Sequence, residues 1–106
     1  KQEAKIQATS YSNEITPGIY EIYSYSNDTM VVSAENYKNN GANIFLNSRK
    51  NENSQKFELV LNEDGSYTFI AQHSKKVIDV QNAGMDFGTN VWQYDQNGSN
   101  AQRWFL

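Results

Sequence analysis

Cysteine is absent from this sequence, and histidine and proline each occur once. Without thiols there is no disulfide framework, no thiolate metal site and no cysteine nucleophile, which removes most small secreted scaffolds and zinc modules. The lone histidine, His73, lies in the Gln72–Lys75 turn and reads as a solvated loop residue rather than a ligand or a base. Cationic residues are also scarce: nine Lys and Arg stand against twelve Asp and Glu, a formal charge of -3. No basic field exists to collect phosphates, so nucleic acid is not an expected partner. Apolar runs are only a few residues long, against roughly 20 for a bilayer span, and no charged-then-apolar leader is visible. The chain is expected to be soluble, without membrane insertion, any export signal being removed or absent. Nor does any segment sustain an apolar period of about 3.6, so helix is expected only as a single turn near Glu35–Tyr37.

What is abundant points the other way. Asparagine occurs 14 times, alongside seven tyrosines, five phenylalanines and two tryptophans. These residue types favour turns and half-buried pleated strands over helix interiors, so the expected class is all-β. At 106 residues the chain holds one modest core and not two.

Sliding the sequence against itself by 47 residues aligns it without gaps. Gly18 falls on Gly65, Tyr20 on Tyr67, Gly41 on Gly88, Asn43 on Asn90, Asn53 on Asn100, Gln55 on Gln102 and Leu59 on Leu106. Phe45 meets Trp92, Phe57 meets Trp104, and other pairs such as Val31 with Ile78 keep size and polarity. Two copies of one unit follow, over residues 18–64 and 65–106. Each reads as four short strands. In the first they are Ile19–Tyr25, Met30–Ala34, Ala42–Asn47 and Gln55–Leu61; in the second, Ser66–Gln72, Lys76–Val80, Asn90–Tyr94 and Gln102–Leu106. Asn62-Glu63-Asp64-Gly65 joins the copies, and its Asp-Gly step suits a tight hairpin better than a calcium loop. Residues 1–17 fit neither copy and read as an N-terminal tail or linker.

The second copy carries three ordered blocks: Val77-Ile78-Asp79-Val80, then Gly88-Thr89-Asn90-Val91-Trp92-Gln93-Tyr94, then Ala101-Gln102-Arg103-Trp104. With the register-matched Gln55-Lys56-Phe57, these resemble the Gln-x-Trp repeats of the ricin B-chain-like β-trefoil lectins, a family that includes a carbohydrate-binding module group of bacterial hydrolases. The resemblance extends over residues 18–106. It implies a β-trefoil of three four-stranded units about a pseudo-threefold axis, with the Gln-x-Trp aromatics in the shared core. Only two units are visible, so the third is expected to come from elsewhere in a longer protein or from another chain. An open core exposes apolar surface that soluble monomers seldom tolerate, which makes a homodimer or a completing partner an expectation.

The resemblance also assigns a sugar site. Tyr94 takes the place of the aromatic platform on which the C–H face of a pyranose stacks. Asp79 matches the carboxylate that grips adjacent hydroxyls, since an ionised carboxylate accepts two charge-assisted hydrogen bonds at once. On a strand Trp92 shares a face with Tyr94, where it is either a second wall or a cover over the core. Gln102 matches the glutamine that braces the site, although its twin Gln55 persists in a copy without the other site residues and favours a structural role. Sugar-binding relatives often carry Asn before that glutamine; here Ala101 stands there, and Asn97 is the candidate to compensate. The first copy reads as blind, with Val32 in place of the carboxylate and Asn47 in place of the platform.

Three functions compete. The first is non-catalytic carbohydrate binding of the galactose or N-acetylgalactosamine type, as the targeting module of an exported or cell-surface protein, the lack of cysteine pointing to a bacterial one. The second is a β-trefoil interaction or oligomerisation module that has lost sugar binding. The third is a glycoside hydrolase, but Glu58, Glu63, Asp64 and Asp79 show no spacing that pairs them in a cleft. A non-enzyme is expected, with no catalytic residues, no metal and no cofactor.

Overall fold

Alternating burial along short segments produces strands and nothing longer. The computed structural model describes residues 15–106. In chain order the strands are β1 (Gly18–Tyr20), β2 (Tyr23–Ser24), β3 (Asn27–Ala34), β4 (Ile44–Ser48), β5 (Phe57–Leu61), β6 (Tyr67–Ala71), β7 (Val77–Val80) and β8 (Val91–Tyr94). In β5 the side chains of Phe57 and Leu59 are buried while Glu58 between them is exposed, the period of two that turns one face inward. A 3-10 turn precedes the aromatic of each Gln-x-aromatic motif, Asn53–Gln55 before Phe57 and Asn100–Gln102 before Trp104.

Pairing is antiparallel throughout. One sheet runs in the order β1-β5-β6-β7-β8 and the other in the order β2-β3-β4. The β5–β6 hairpin turns at Asn62–Gly65, where Gly65 adopts φ +88 and Asp64 accepts from both the Ser66 N–H and its hydroxyl. The acid of that turn is thus employed within the turn. Phe57, Leu59, Tyr67, Phe69, Ala71 and Ile78 form the core cluster, with Ile22, Ile44, Val91 and Trp104 packed against it. Trp104 also donates its indole N–H to the Ile78 carbonyl at 3.2 Å.

Among the described residues the barrel of this trefoil is open. Two strands per unit line it: β1 and β5 from the first, β6 and the Trp104 segment from the second, joined by β1–β5, β5–β6 and the Tyr67–Trp104 bridge. A third unit would supply two more. In its place lies an apolar groove of about 250 Å³ lined by Ile15, Tyr20, Ile22, Leu59, Phe69 and Leu106, together with Glu21. Ile19, Phe105 and Leu106 beside it are exposed.

Five expectations are corrected. The strand expected over Ile19–Tyr25 is two short ones, Gly18–Tyr20 and Tyr23–Ser24, which pair in different sheets. Glu35–Tyr37 is a bend without helix, because the Glu35 carboxylate accepts from the Asn43 N–H across its own loop rather than serving a helical turn. Gln55 belongs to a 3-10 turn, and strand begins only at Phe57. The last segment forms a single bridge at Trp104 instead of a strand over Gln102–Leu106, since Gln102 is in a 3-10 turn and a strand needs a partner on which to build its ladder. His73 is not a solvated residue: its Nε2 lies 3.1 Å from the Glu35 carbonyl, and its Nδ1 is buried without a partner. The tail or linker expected over residues 1–17 falls outside the described residues up to residue 14; Ile15 is tied to Tyr67, whose hydroxyl accepts from the Ile15 N–H at 2.9 Å.

Gly41 holds the joint between the units. It adopts φ +90, its N–H donates to the Gln93 carbonyl at 2.8 Å, and a β-carbon added there would rest 3.5 Å from the Trp92 ring, an ordinary contact. The cost of Gly41→Ala is therefore backbone strain with no displacement of Trp92. We expect a loss of about 1–3 kcal/mol in chemical denaturation with ligand binding retained.

Three acids sit below the ordinary carboxylate range. Arg49 hydrogen-bonds Glu21, the Ser66 hydroxyl and N–H hold Asp64 with Arg103 beyond them, and Lys76 and Asn40 hold Asp95. A folded-state pKa below the unfolded value means stabilisation that is present above about pH 4 and lost as pH falls through the folded value. Stability should thus be level near neutrality and decline below about pH 4, with a shallower acid slope in Asp95→Asn; an identical slope in that variant would remove Asp95 from the account.

Candidate functional site

The β7–β8 hairpin brings Asp79 and Tyr94 to one cleft. Its register opposes Asp79 to Trp92 and Val77 to Tyr94, so these four side chains share a face while Ile78 and Gln93 share the other. The cleft encloses about 320 Å³ and is lined by Asp79, Asn82, Ala83, Trp92, Tyr94, Asn97, Ser99 and Ala101. Asp79 forms its floor and is 6% exposed. Its Oδ1 accepts from the Trp92 indole N–H at 2.8 Å and its Oδ2 from the Gln102 amide at 2.8 Å. Each oxygen keeps further acceptor capacity, so the carboxylate is fixed in orientation and still able to receive hydroxyl protons.

Tyr94 is 37% exposed, and its ring stacks on Trp92 with centroids 5.6 Å apart and planes inclined by 19°. Trp92 therefore does three things. It lines the cleft, backs the Tyr94 ring and fixes one oxygen of Asp79. Gln102 is fully buried: its amide donates to Asp79 Oδ2 and to the Asp95 carbonyl, and its carbonyl accepts from the Asn97 N–H, each at 2.8 Å. It reaches the cleft only through Asp79 and the Asn97 backbone. Asn97 lines the cleft, with its Oδ1 accepting from the Ser99 N–H at 2.9 Å. Its NH2 is a donor of the kind a sugar hydroxyl accepts.

The first unit preserves the frame without the chemistry. The β3–β4 register opposes Ser33 to Phe45 as Asp79 is opposed to Trp92, and Gln55 donates to Ser33 Oγ at 3.1 Å as Gln102 donates to Asp79. The counterpart of Asp79 is thus Ser33 and not Val32. The loop after β3 covers residues 35–43 and that after β7 covers 81–90, one residue longer, which shifts the matched strands by one position. A cleft of about 220 Å³ is present there too, bounded by Ser33, Glu35, Tyr37, Phe45, Asn47 and Gln55 among others. At the matched positions Ser33 and Asn47 replace the floor carboxylate and the aromatic platform, while Glu35, Tyr37 and Phe45 line this cleft from other places.

Gln93 is a residue that the sequence reading missed. Fully buried, its amide donates to the carbonyls of Tyr37 and Asn39 at 3.2 and 2.8 Å, and its carbonyl accepts from Ser74 Oγ at 2.9 Å. It fixes the first unit's loop to the hairpin that carries the cleft. Its position between Trp92 and Tyr94, pointing to the opposite face, is the one signal the sequence holds for it. Asn82, Ala83 and Ser99 come from irregular loops with no periodic signal at all.

A trefoil unit whose hairpin presents a fixed carboxylate beside an exposed aromatic ring defines a lectin-like domain. The comparisons agree. A family model described as ricin-type β-trefoil lectin domain-like matches residues 7–94 and again 53–106, and the chain belongs to that family. Among solved structures, a designed three-fold symmetric protein, ThreeFoil, superposes with a TM-score of 0.80 at 34% identity, over 83% of this chain and 63% of that one. A mosquitocidal holotoxin superposes with a TM-score of 0.80 at 17% identity, over 88% of this chain and 11% of its own, a likeness of fold. The chain spans less than two thirds of either structure's length. No curated protein matches it.

Proposed function

We propose that this domain is a non-catalytic carbohydrate-binding module for galactoside-type sugars, serving as the targeting part of an exported or cell-surface protein, bacterial by its lack of cysteine. The observation that carries this reading is Asp79, oriented by Trp92 and Gln102 on the floor of the cleft that Tyr94 flanks. Asp79 and Tyr94 line the same cleft, so a pyranose held there meets a carboxylate acceptor and an aromatic ring together. A single shallow site of this kind binds with a Kd on the order of 1 mM, so retention on a surface depends on several sites held together. Titration with free galactosides and chromatography on an immobilised galactoside test the reading. Millimolar affinity with retardation on the column is expected; a blank result across a full saccharide panel removes it.

One observation favours a second reading, that of an interaction module. The groove at the open barrel is apolar and its edges, β1 and the Trp104–Leu106 segment, carry exposed Ile19, Phe105 and Leu106. ThreeFoil is three-fold symmetric and 63% of it is covered, as two units of three would be. The occupant that fits the gap is a third unit of the same kind. Two identical chains bring four units where three are needed, so a separate unit closes the barrel better than a second copy does. Mixing this chain with such a unit made separately is expected to give a one-to-one complex by solution mass and a higher unfolding temperature. A mixture that stays separate counts against closure, while a complex without sugar binding favours the interaction role alone.

A further inference from the structure

We infer that the sugar cleft continues into an apolar subsite that takes a hydrocarbon group attached to the sugar, an alkyl or aryl aglycone; this inference rests on the sugar-binding reading above. A second cleft of about 330 Å³ lies across Ala83 and Ala101, which line both spaces, and is completed by Val80, Gly84, Met85 and Asn100. Its walls are thus methyl, methylene and thioether groups with one amide. The partition between the two clefts is small: Ala83 and Ala101, each with a single methyl group, are the residues the two linings share.

The wall is also built rather than loose. Asn82 and Ala83 adopt φ 54 and 53, left-handed values that side chains rarely take, and the Gly84 N–H donates to the Gln81 carbonyl at 3.1 Å. The Thr89 N–H and hydroxyl both donate to the Asp86 carbonyl, and Gly84 packs so closely on Thr89 that no β-carbon fits between them. Strain held in place by its surroundings collects at functional sites. On this fixed loop Met85 is 95% exposed at the rim of the second cleft, with Phe87 beyond it at 107%. Met is suited to such a rim, because its unbranched thioether adapts to apolar shapes of different outline.

Charge narrows the choice of ligand. Neither cleft is lined by a Lys or an Arg, whereas Asp79 lies at the floor of one. A phosphate, sulfate or uronate is therefore disfavoured and a neutral hydrocarbon is what remains. Such a group can belong to a soluble glycoside or to a glycolipid in a bilayer, and the apolar contact is the same in both.

Calorimetry of the whole chain with paired methyl and octyl glycosides of galactose, glucose and mannose, kept below micelle formation, tests the inference. For the sugar that binds, the octyl glycoside is expected to bind about tenfold tighter than the methyl glycoside, the gain of burying roughly two methylenes. Met85→Ser should remove most of that gain and leave the methyl glycoside's affinity unchanged. Equal affinities, or a gain that survives Met85→Ser, would each overturn the subsite while leaving the sugar site standing. Absence of binding by every glycoside overturns both. Neutral phosphatidylcholine vesicles carrying the same sugar on a lipid then separate the sources: capture that fails in Met85→Ser assigns the glycolipid, and binding confined to the soluble octyl glycoside assigns the free compound.

Discussion

Asp79→Ala is expected to abolish galactoside retention and, unlike a change at an ordinary surface acid, to lower stability by about 2–4 kcal/mol. The carboxylate receives the Trp92 indole N–H and the buried Gln102 amide, and alanine leaves both donors without an acceptor, at about 1–3 kcal/mol for each buried group. Burial of the side chain is what gives the substitution a cost to the fold as well as to recognition. Against a typical stability of about 5–15 kcal/mol the variant remains folded at low temperature, where retention can be measured. Asp79→Asn should lie between, because one amide orientation keeps the acceptor for Trp92 but turns an NH2 toward the Gln102 amide. Urea unfolding and affinity chromatography read the two effects separately. Full retention by a folded Asp79→Ala protein would remove Asp79 from sugar recognition.

The second large effect concerns the paired glutamines. Gln55 donates to Ser33 Oγ and the Ser48 carbonyl and accepts from the Lys50 N–H, while Gln102 donates to Asp79 and the Asp95 carbonyl and accepts from the Asn97 N–H. Both are fully buried, so alanine at either place opens a cavity and strands three polar groups. A loss of about 3 kcal/mol or more is expected for each by denaturation. Only Gln102 orients a cleft carboxylate. Gln102→Ala should therefore weaken galactoside retention and Gln55→Ala should not, when both are assayed under conditions that keep them folded. Equal losses of retention would mean that the sugar effect is a by-product of lowered stability.

Much of this frame was legible because it repeats. The offset of 47 residues placed Gln55 on Gln102 and Phe45 on Trp92, and the structure gives each pair the same surroundings. The Asp-Gly hairpin was legible for a local reason, since Gly65 supplies a backbone conformation that other residues resist. Where the reading failed, the cause lay outside local chemistry. Val32 was matched to Asp79 in place of Ser33 because ungapped alignment cannot sense that one loop is a residue longer. The 3-10 turns before Phe57 and Trp104 are too short to carry a period. His73 and Gln93 were misread or missed because their partners, Glu35, Tyr37 and Asn39, lie in the other unit. The cleft itself was half visible: two residues of one hairpin announced it, but Asn82, Ala83 and Ser99 enter through turns whose paths depend on packing.

One contact between the units has a wider consequence. Asn90 donates its amide to Asn43 Oδ1 at 2.7 Å, and these asparagines hold the same place in their respective copies. A joint in which a residue answers its own duplicate is modular: whole segments can be added in series, each new amide meeting the one before it, without inventing fresh complementarity. Arranged head to tail around an axis, such a series leaves one amide donor and one amide acceptor over at its two ends, and closure into a ring pairs them with each other.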